Sequence, residues 1–413
     1  MSSTNTRDAD AKIDALIAAG AELRMGALEE RCEAIARALK RLRDPADALG
    51  QEARTSLPKS TGLSPAMVDW ALEQSLRDID ANALNTLAER RASSPEEVQA
   101  LAPRWVLLIL AGNLFTACLR SVLPALVYGA PLWIKVSSKG DGFPALLQRA
   151  LCAEDPRLAA ALHLDEGKGE AMPESCFARA EVAIAYGSDA TCRAIRERLP
   201  IHSNFIAHGH GLGLSYVARA TLEDAELRAQ ALQGIALDLA AYDQRGCLSP
   251  HALYLESDDA EEGRSFAESL AHQAMKAMAE RLPRGPLPYA LGGAQLQWRS
   301  LAAYRGQLFE GEGFALSYEH AGSFRLSPGW RNLQILPCRD LEDFCARTAP
   351  LAHHLKCIGV AGPTALRRRL TEALPLHAAP RICAAGEMQR PPFLGLSDGD
   401  ALERGLRRWR EWS

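Results

Sequence analysis

The stretch Arg104-Trp105-Val106-Leu107-Leu108-Ile109-Leu110-Ala111-Gly112-Asn113 decides the fold. Its unbroken apolar run is too short for a buried helix and stops at Gly-Asn. That pattern predicts a strand covered on both faces, as in a parallel sheet. Working outward, FTACLRSVLPALVYG (115–129) has helical spacing, APLWIKVSS (130–138) is a second apolar strand, and PALLQRALCA (144–153) a second helix. AEVAIAYG (180–187), DATCRAIRERLP (189–200) and HSNFIAHG (202–209) continue as strand, helix, strand. Such alternation implies a doubly wound parallel sheet with a ligand beyond the carboxyl ends of its strands.

Upstream, apolar and charged positions alternate at helical spacing. AKIDALIAAGAELRMGALEERCEAIARALKRLRD (11–44) ends at Pro45, and helices are predicted over 67–91 and within EEVQALA (96–102). Downstream the pattern resets near Leu222, with a long helix through Gln244, a turn-like RGCLSPH, a strand HALYLES and a helix closed by Pro283. A strand HLKCIGVAG and a helix TALRRRLTEAL follow around Cys357. The expected division is a helical region 1–100 packed on a nucleotide domain 101–221, a second α/β domain 222–392, and a C-terminal segment 393–413.

The net charge of -4 argues against a nucleic-acid or membrane footprint. The arginine groups at 367–369 and at 404, 407, 408 and 410 read as solvated helix faces. The longest uncharged apolar stretch, Trp105 to Leu119, falls short of the ~18–20 residues of a membrane span. The N-terminus lacks the layout of a signal peptide. Ten cysteines without C-x-x-C or His/Cys spacing suit reduced thiols of a cytoplasmic protein with no metal site.

Four places invite chemistry. Cys247 lies in Asp243-Gln244-Arg245-Gly246-Cys247-Leu248-Ser249-Pro250, where Gly246 frees the backbone, Pro250 stops a helix and Arg245 would favour a thiolate. The alternative is a small buried hydrophobe. Asn113 at a strand end suits an oxyanion donor or a helix cap. Gly187 and Ser188, between strand and helix, suit a phosphate or an N-cap. Lys135-Val136-Ser137-Ser138-Lys139 ends the second strand, and its lysines suit a ribose or phosphate, or plain solvent.

In order and approximate spacing these pieces resemble the aldehyde dehydrogenase superfamily, and within it the LuxC-type acyl-CoA reductase family. Cys-Leu-Ser-Pro after Asp-Gln-Arg-Gly, Arg381-Ile382-Cys383 and Gly386-Glu387-Met388-Gln389-Arg390-Pro391-Pro392 carry most of the likeness, over about residues 100–400. The resemblance implies an α/β, aldehyde-dehydrogenase-like fold: a Rossmann-type nucleotide domain plus a catalytic cysteine domain, with a helical N-terminal region. It makes Cys247 the acyl-accepting nucleophile and Asn113 an oxyanion donor beside the Cys247 N–H. Lys135 would meet the adenine-side ribose, and Gly187 and Ser188 the pyrophosphate.

Two departures from the superfamily pattern matter. Hydrolytic relatives carry a glutamate base in Glu-Leu-Gly-Gly, where this chain reads Ile206-Ala207-His208-Gly209-His210-Gly211. Loss of that base suits a reductase, which must keep its thioester from water. His208 or His210 would shuttle a proton, or simply bond backbone in a Gly-rich turn. Ser138, where NAD-preferring relatives often have glutamate, leaves room between Lys135 and Lys139 for a 2′-phosphate. NADPH is therefore expected first and NADH second. The implied partners are an acyl-CoA or acyl-carrier-protein thioester and a second copy of the chain.

Overall fold

The computed structural model describes residues 3–92, 98–137, 142–167, 172–406 and 408–411. The chain forms two units. The first holds Met1–Thr61, Leu72–His210 and Pro392–Ser413, and the second Gly62–Ala71 and Gly211–Pro391. Strands are numbered along the chain.

In the first unit, β1 (Val98–Leu101) pairs antiparallel with β14 (Arg408–Glu411). This corrects the helix expected in EEVQALA: a ladder supplied from far along the chain outweighs a weak local helix preference. The main sheet contains β2 (Val106–Ile109), β3 (Leu132–Lys135), β4 (Leu162–Asp165), β5 (Val182–Tyr186) and β6 (Asn204–His208), ordered β4-β3-β2-β5-β6 and parallel throughout. The chain steps outward from β2 to β4, then returns to the other side for β5 and β6. The winding therefore reverses between β2 and β5, which opens a crevice at their carboxyl ends. The edge strand β4, Leu-His-Leu-Asp, is half-exposed after Leu162 and so lacks the apolar run that revealed its neighbours.

The N-terminal run breaks at Gly26 into helices Ser3–Met25 and Leu28–Arg43. The second buries Cys32, Ile35, Leu39 and Leu42 along one stripe. Arg31 on the same face is buried, its guanidinium donating to the Leu23 and Val127 carbonyls at 2.6 and 2.9 Å. Those bonds replace the water it loses. The C-terminal segment is strapped down by two arginines. Arg120 donates to the carbonyls of Pro392, Phe393, Gly395 and Leu396, and Arg90 to that of Leu394.

The second unit is built on a seven-stranded sheet. Its strands are β7 (Leu212–Val217), β8 (Pro250–Glu256), β9 (Gln307–Gly311), β10 (Phe314–Tyr318), β11 (Asn332–Cys338), β12 (Leu355–Ala361) and β13 (Arg381–Ala384), ordered β13-β12-β7-β8-β11-β10-β9. Only β9 with β10 is antiparallel. The unit begins at Gly211 rather than near 222, because β7 pairs with β8 and β12. One face packs Leu214, Tyr216, Tyr254, Phe344, Ile358 and Val360 together, with the Phe344 ring 4.9 and 5.2 Å from those of Tyr216 and Tyr254. Among the described residues, no helix is long and apolar enough to cross a membrane.

Candidate active site

The Cys247 loop begins where helix Ala225–Ala240 stops. Tyr242, Asp243 and Gln244 then take φ values of 52°, 54° and 59°, three consecutive non-glycine residues in the left-handed region. Each costs roughly 1–2 kcal/mol, so something must hold them. Asp243 accepts from the Arg331 guanidinium at 2.7 and 3.1 Å and from Gly285 N–H at 3.1 Å, in a pair with no solvent exposure. Burial lowers the Arg331 pKa, and Asp243 opposes that shift. The Gln244 amide donates to the Pro250 and Asn332 carbonyls at 2.7 and 2.8 Å and accepts from Asn332 N–H at 2.9 Å. Trp330 and Arg331, on the opposing segment, are left-handed as well, with φ of 58° and 64°.

Between Ala241 and Pro250 every residue is buried or half-buried except Cys247, which is exposed. A turn closed by Ser249 N–H on the Gly246 carbonyl at 3.0 Å presents it. Seven of the ten cysteines are buried, Cys345 is half-buried, and Cys152 is exposed on helix Phe143–Glu154. Cys247 is therefore not a core hydrophobe. Arg245 lies half-buried, its guanidinium carbon 5.5 Å from the Trp330 ring centre and its Nε on the Tyr242 carbonyl.

The loop lies at the amino ends of β7, β8 and β12, where one residue unremarked in the sequence, Lys356, joins it. A Cβ on Gly211 would lie 2.4 Å from Lys356 Cγ, 3.1 Å from Lys356 Cε and 3.2 Å from Cys247 Cβ. The Lys356 stem and Cys247 thus share the surface of one glycine. The visible signal was a lone lysine between Leu355 and Cys357 in an otherwise apolar strand. Asp238, buried in helix Ala225–Ala240, accepts from Gly386 and Met388 N–H at 2.6 and 2.9 Å. It thereby anchors the Gly386–Met388 turn beneath the sheet. Among the described residues, no cluster of His, Cys, Asp or Glu could hold a metal ion.

The expected nucleotide residues lie in the first unit, at the carboxyl ends of its strands. Lys135 closes β3, buried, with Nζ donating to the Val136 carbonyl at 2.5 Å. Ser137 follows, half-buried, while Ser138 and Lys139 fall outside the described residues. Asn113 is exposed just past β2, and the capping position of the next turn is Leu114 rather than Asn113. Gly187 and Ser188 follow β5. Ser188 caps helix Asp189–Arg198 by accepting from Thr191 N–H at 3.1 Å, so the N-cap reading holds for it.

A Cβ on Gly187 would meet the Thr191 side chain at 3.1 Å. The backbone there stays bare beside a helix N-terminus, at the point where the winding reverses. These features fit a dinucleotide.

His208 ends β6, stacked on Tyr186 with ring centres 4.3 Å apart. Its Nδ1 lies 2.7 Å from an Asp398 carboxylate oxygen on the strapped C-terminal segment. Tyr186 is itself held by its hydroxyl on Ser121 Oγ at 2.8 Å. His210 is exposed, with its backbone N–H donating to Asp189 at 2.8 Å.

Comparison with known proteins follows the same lines. Residues 27–399 match the family described as acyl-CoA reductase (LuxC). Long-chain acyl-protein thioester reductase 2 of Photobacterium leiognathi is 25% identical over 365 residues, covering 86% of this chain and 74% of that protein. Aldehyde dehydrogenase 21 from Physcomitrella patens superposes with a TM-score of 0.75 at 13% identity, over 98% of this chain and 90% of its own. The NADP-dependent glyceraldehyde-3-phosphate dehydrogenase from Bacillus halodurans, solved with NADP, gives 0.72 at 14% identity, with coverage of 98% and 90%. Likeness at these identities establishes an aldehyde-dehydrogenase-like fold.

Proposed function

Because the chain belongs to the acyl-CoA reductase (LuxC) family, we propose that it reduces an acyl thioester to the aldehyde through an acyl-enzyme on Cys247. The observation that carries this reading is the loop itself: a cysteine exposed alone on a backbone otherwise buried and clamped by Asp243 and Gln244. A general-purpose surface thiol would not need such support.

In the proposed cycle the Cys247 thiolate adds to the thioester carbonyl, and the oxyanion is met by the Asn113 amide and the Cys247 N–H. The donor thiol leaves, and the acyl group stays on Cys247 as a new thioester. Lys135, Ser137, Gly187 and Ser188 would hold a nicotinamide nucleotide, which when bound would supply the hydride that reduces this thioester. Cys247 then carries a thiohemiacetal and is freed as the thiolate when the aldehyde departs. Of the two histidines, His208 has the geometry for proton work, because Asp398 fixes its Nδ1 and so its tautomer. Reduction rather than hydrolysis is favoured by the carboxylate-free segment 206–211.

NADPH is the proposed donor and NADH the alternative. The acyl donor is proposed to be a CoA or carrier-protein thioester. The test is nucleotide oxidation, followed by absorbance, with acyl-CoAs from acetyl to palmitoyl and with an acyl-carrier-protein thioester. Cys247→Ala should lose turnover by at least about a thousandfold while nucleotide binding stays within about twofold. Retained reduction in that variant would reject the acyl-enzyme.

A further inference from the structure

We propose that Lys356 is a positioning residue for Cys247, holding its sulfur as the thiolate; this rests on the acyl-enzyme reading and deepens it. Two observations carry it. The first is the shared contact with Gly211, which brings the aliphatic stem of Lys356 alongside the Cys247 Cβ. The second is the register of β12 against β7. Leu355 pairs with Leu212 and Cys357 with Gly213, so Lys356 is the extra, bulged residue of that ladder.

The bulge has a visible packing consequence. Leu355 and Ile358, three residues apart, both join the cluster around Phe344, whereas Cys357 packs on the other side with Cys383 and Met388. A regular strand would send Lys356 toward the same face as Ile358. The extra residue instead lifts its side chain out of the alternation and lays it across Gly211 toward the cysteine. Bulges re-aim side chains in this way, and they recur beside active sites. Gly211 is what lets the lysine pass, since any Cβ there would strike its Cγ.

Three other charged groups of the loop and its neighbouring strand are committed elsewhere. Asp243 is closed off with Arg331, and Arg245 is turned onto Trp330 and the Tyr242 carbonyl. His251, the bulged residue of β8 against β7, has its Nδ1 on the Ser327 carbonyl, and burial takes its pKa down to about 4. It is neutral wherever a thiol titrates. Lys356, among the described residues, is a cation whose stem shares the Gly211 surface with Cys247. A unit charge held close to a thiolate at an exposed site favours ionisation by roughly one pH unit.

The experiment is the pH dependence of Cys247 alkylation by iodoacetamide, read by peptide mass spectrometry in the full chain without substrate or nucleotide. Cys152→Ser removes the other exposed thiol. Lys356→Met, and Lys356→Gln as a polar replacement, should raise the midpoint by about one unit and slow alkylation roughly tenfold below it. Lys356→Arg should restore the wild-type midpoint to within about 0.3 unit, which a merely structural role would not require. Superimposable profiles for wild type and either neutral variant, with unfolding midpoints unchanged, would overturn the proposal. The two readings separate cleanly. If Cys247→Ala abolishes reduction while the neutral variants titrate normally, Lys356 loses its role and the acyl-enzyme stands. If the midpoints move but Cys247→Ala still reduces acyl thioesters, the acyl-enzyme falls.

Discussion

Asp243→Asn tests what holds the cysteine loop in place. The side chain keeps its size and its tolerance of left-handed backbone, so the change removes charge and little else. Arg331, with no exposed surface, would then face a neutral amide. Breaking one side of a buried pair costs about 3–5 kcal/mol, and the retained amide puts this case near the lower end. The clamp also offsets five left-handed non-glycine residues, at 242–244 and 330–331, whose strain is about 1 kcal/mol or more apiece. Once the pair is lost, that strain favours opening.

A loss of about 3 kcal/mol should lower the urea midpoint of the second unit by about 1 M, for an m value near 3 kcal/mol/M. The assay is urea unfolding of Asp243→Asn, Arg331→Gln and the double variant. The double variant should recover about 2 kcal/mol of the sum of the singles, because neither charge is left stranded. Strict additivity, or a midpoint change below about 0.3 M in Asp243→Asn, would refute the reasoning that the pair fixes the loop.

Two further outcomes follow from buried or crowded positions. Burial raises the Asp238 carboxyl to about 7 against the opposing bonds from Gly386 and Met388 N–H. The folded chain therefore holds a proton that the unfolded chain releases near pH 4, so stability should fall as pH rises from about 4 through 7. Urea midpoints measured across that range should fall relative to Asp238→Asn, and parallel curves would contradict the assignment. Gly187→Ala should weaken nicotinamide-nucleotide binding, titrated with NADPH and with NADH, about tenfold, since its Cβ would press on Thr191 at 3.1 Å. Unchanged affinity would place the pyrophosphate elsewhere.

Local chemistry made much of this protein legible in one dimension. Strands buried on both faces must be continuous apolar runs, and that revealed β2, β3 and β5 with the helices between them. Gly246 and Pro250 marked a loop around Cys247, and the carboxylate-free segment at 206–211 pointed toward reduction. Edge strands carry weaker signals: β4 is half-exposed, and β1 exists only because residues 408–411 pair with it. The start of the second unit at Gly211 likewise depended on which strands β7 would join.

The support of the site was decided wholly in three dimensions. Asp243 meets Arg331 across 88 positions of chain, and His208 meets Asp398 across 190. Nothing periodic in the sequence announces such pairs, because their energy exists only after the sheets form. Lys356 is the sharpest case. Its residue type was plain, but its direction comes from a one-residue mismatch between β12 and β7, and register belongs to the assembled sheet rather than to either strand.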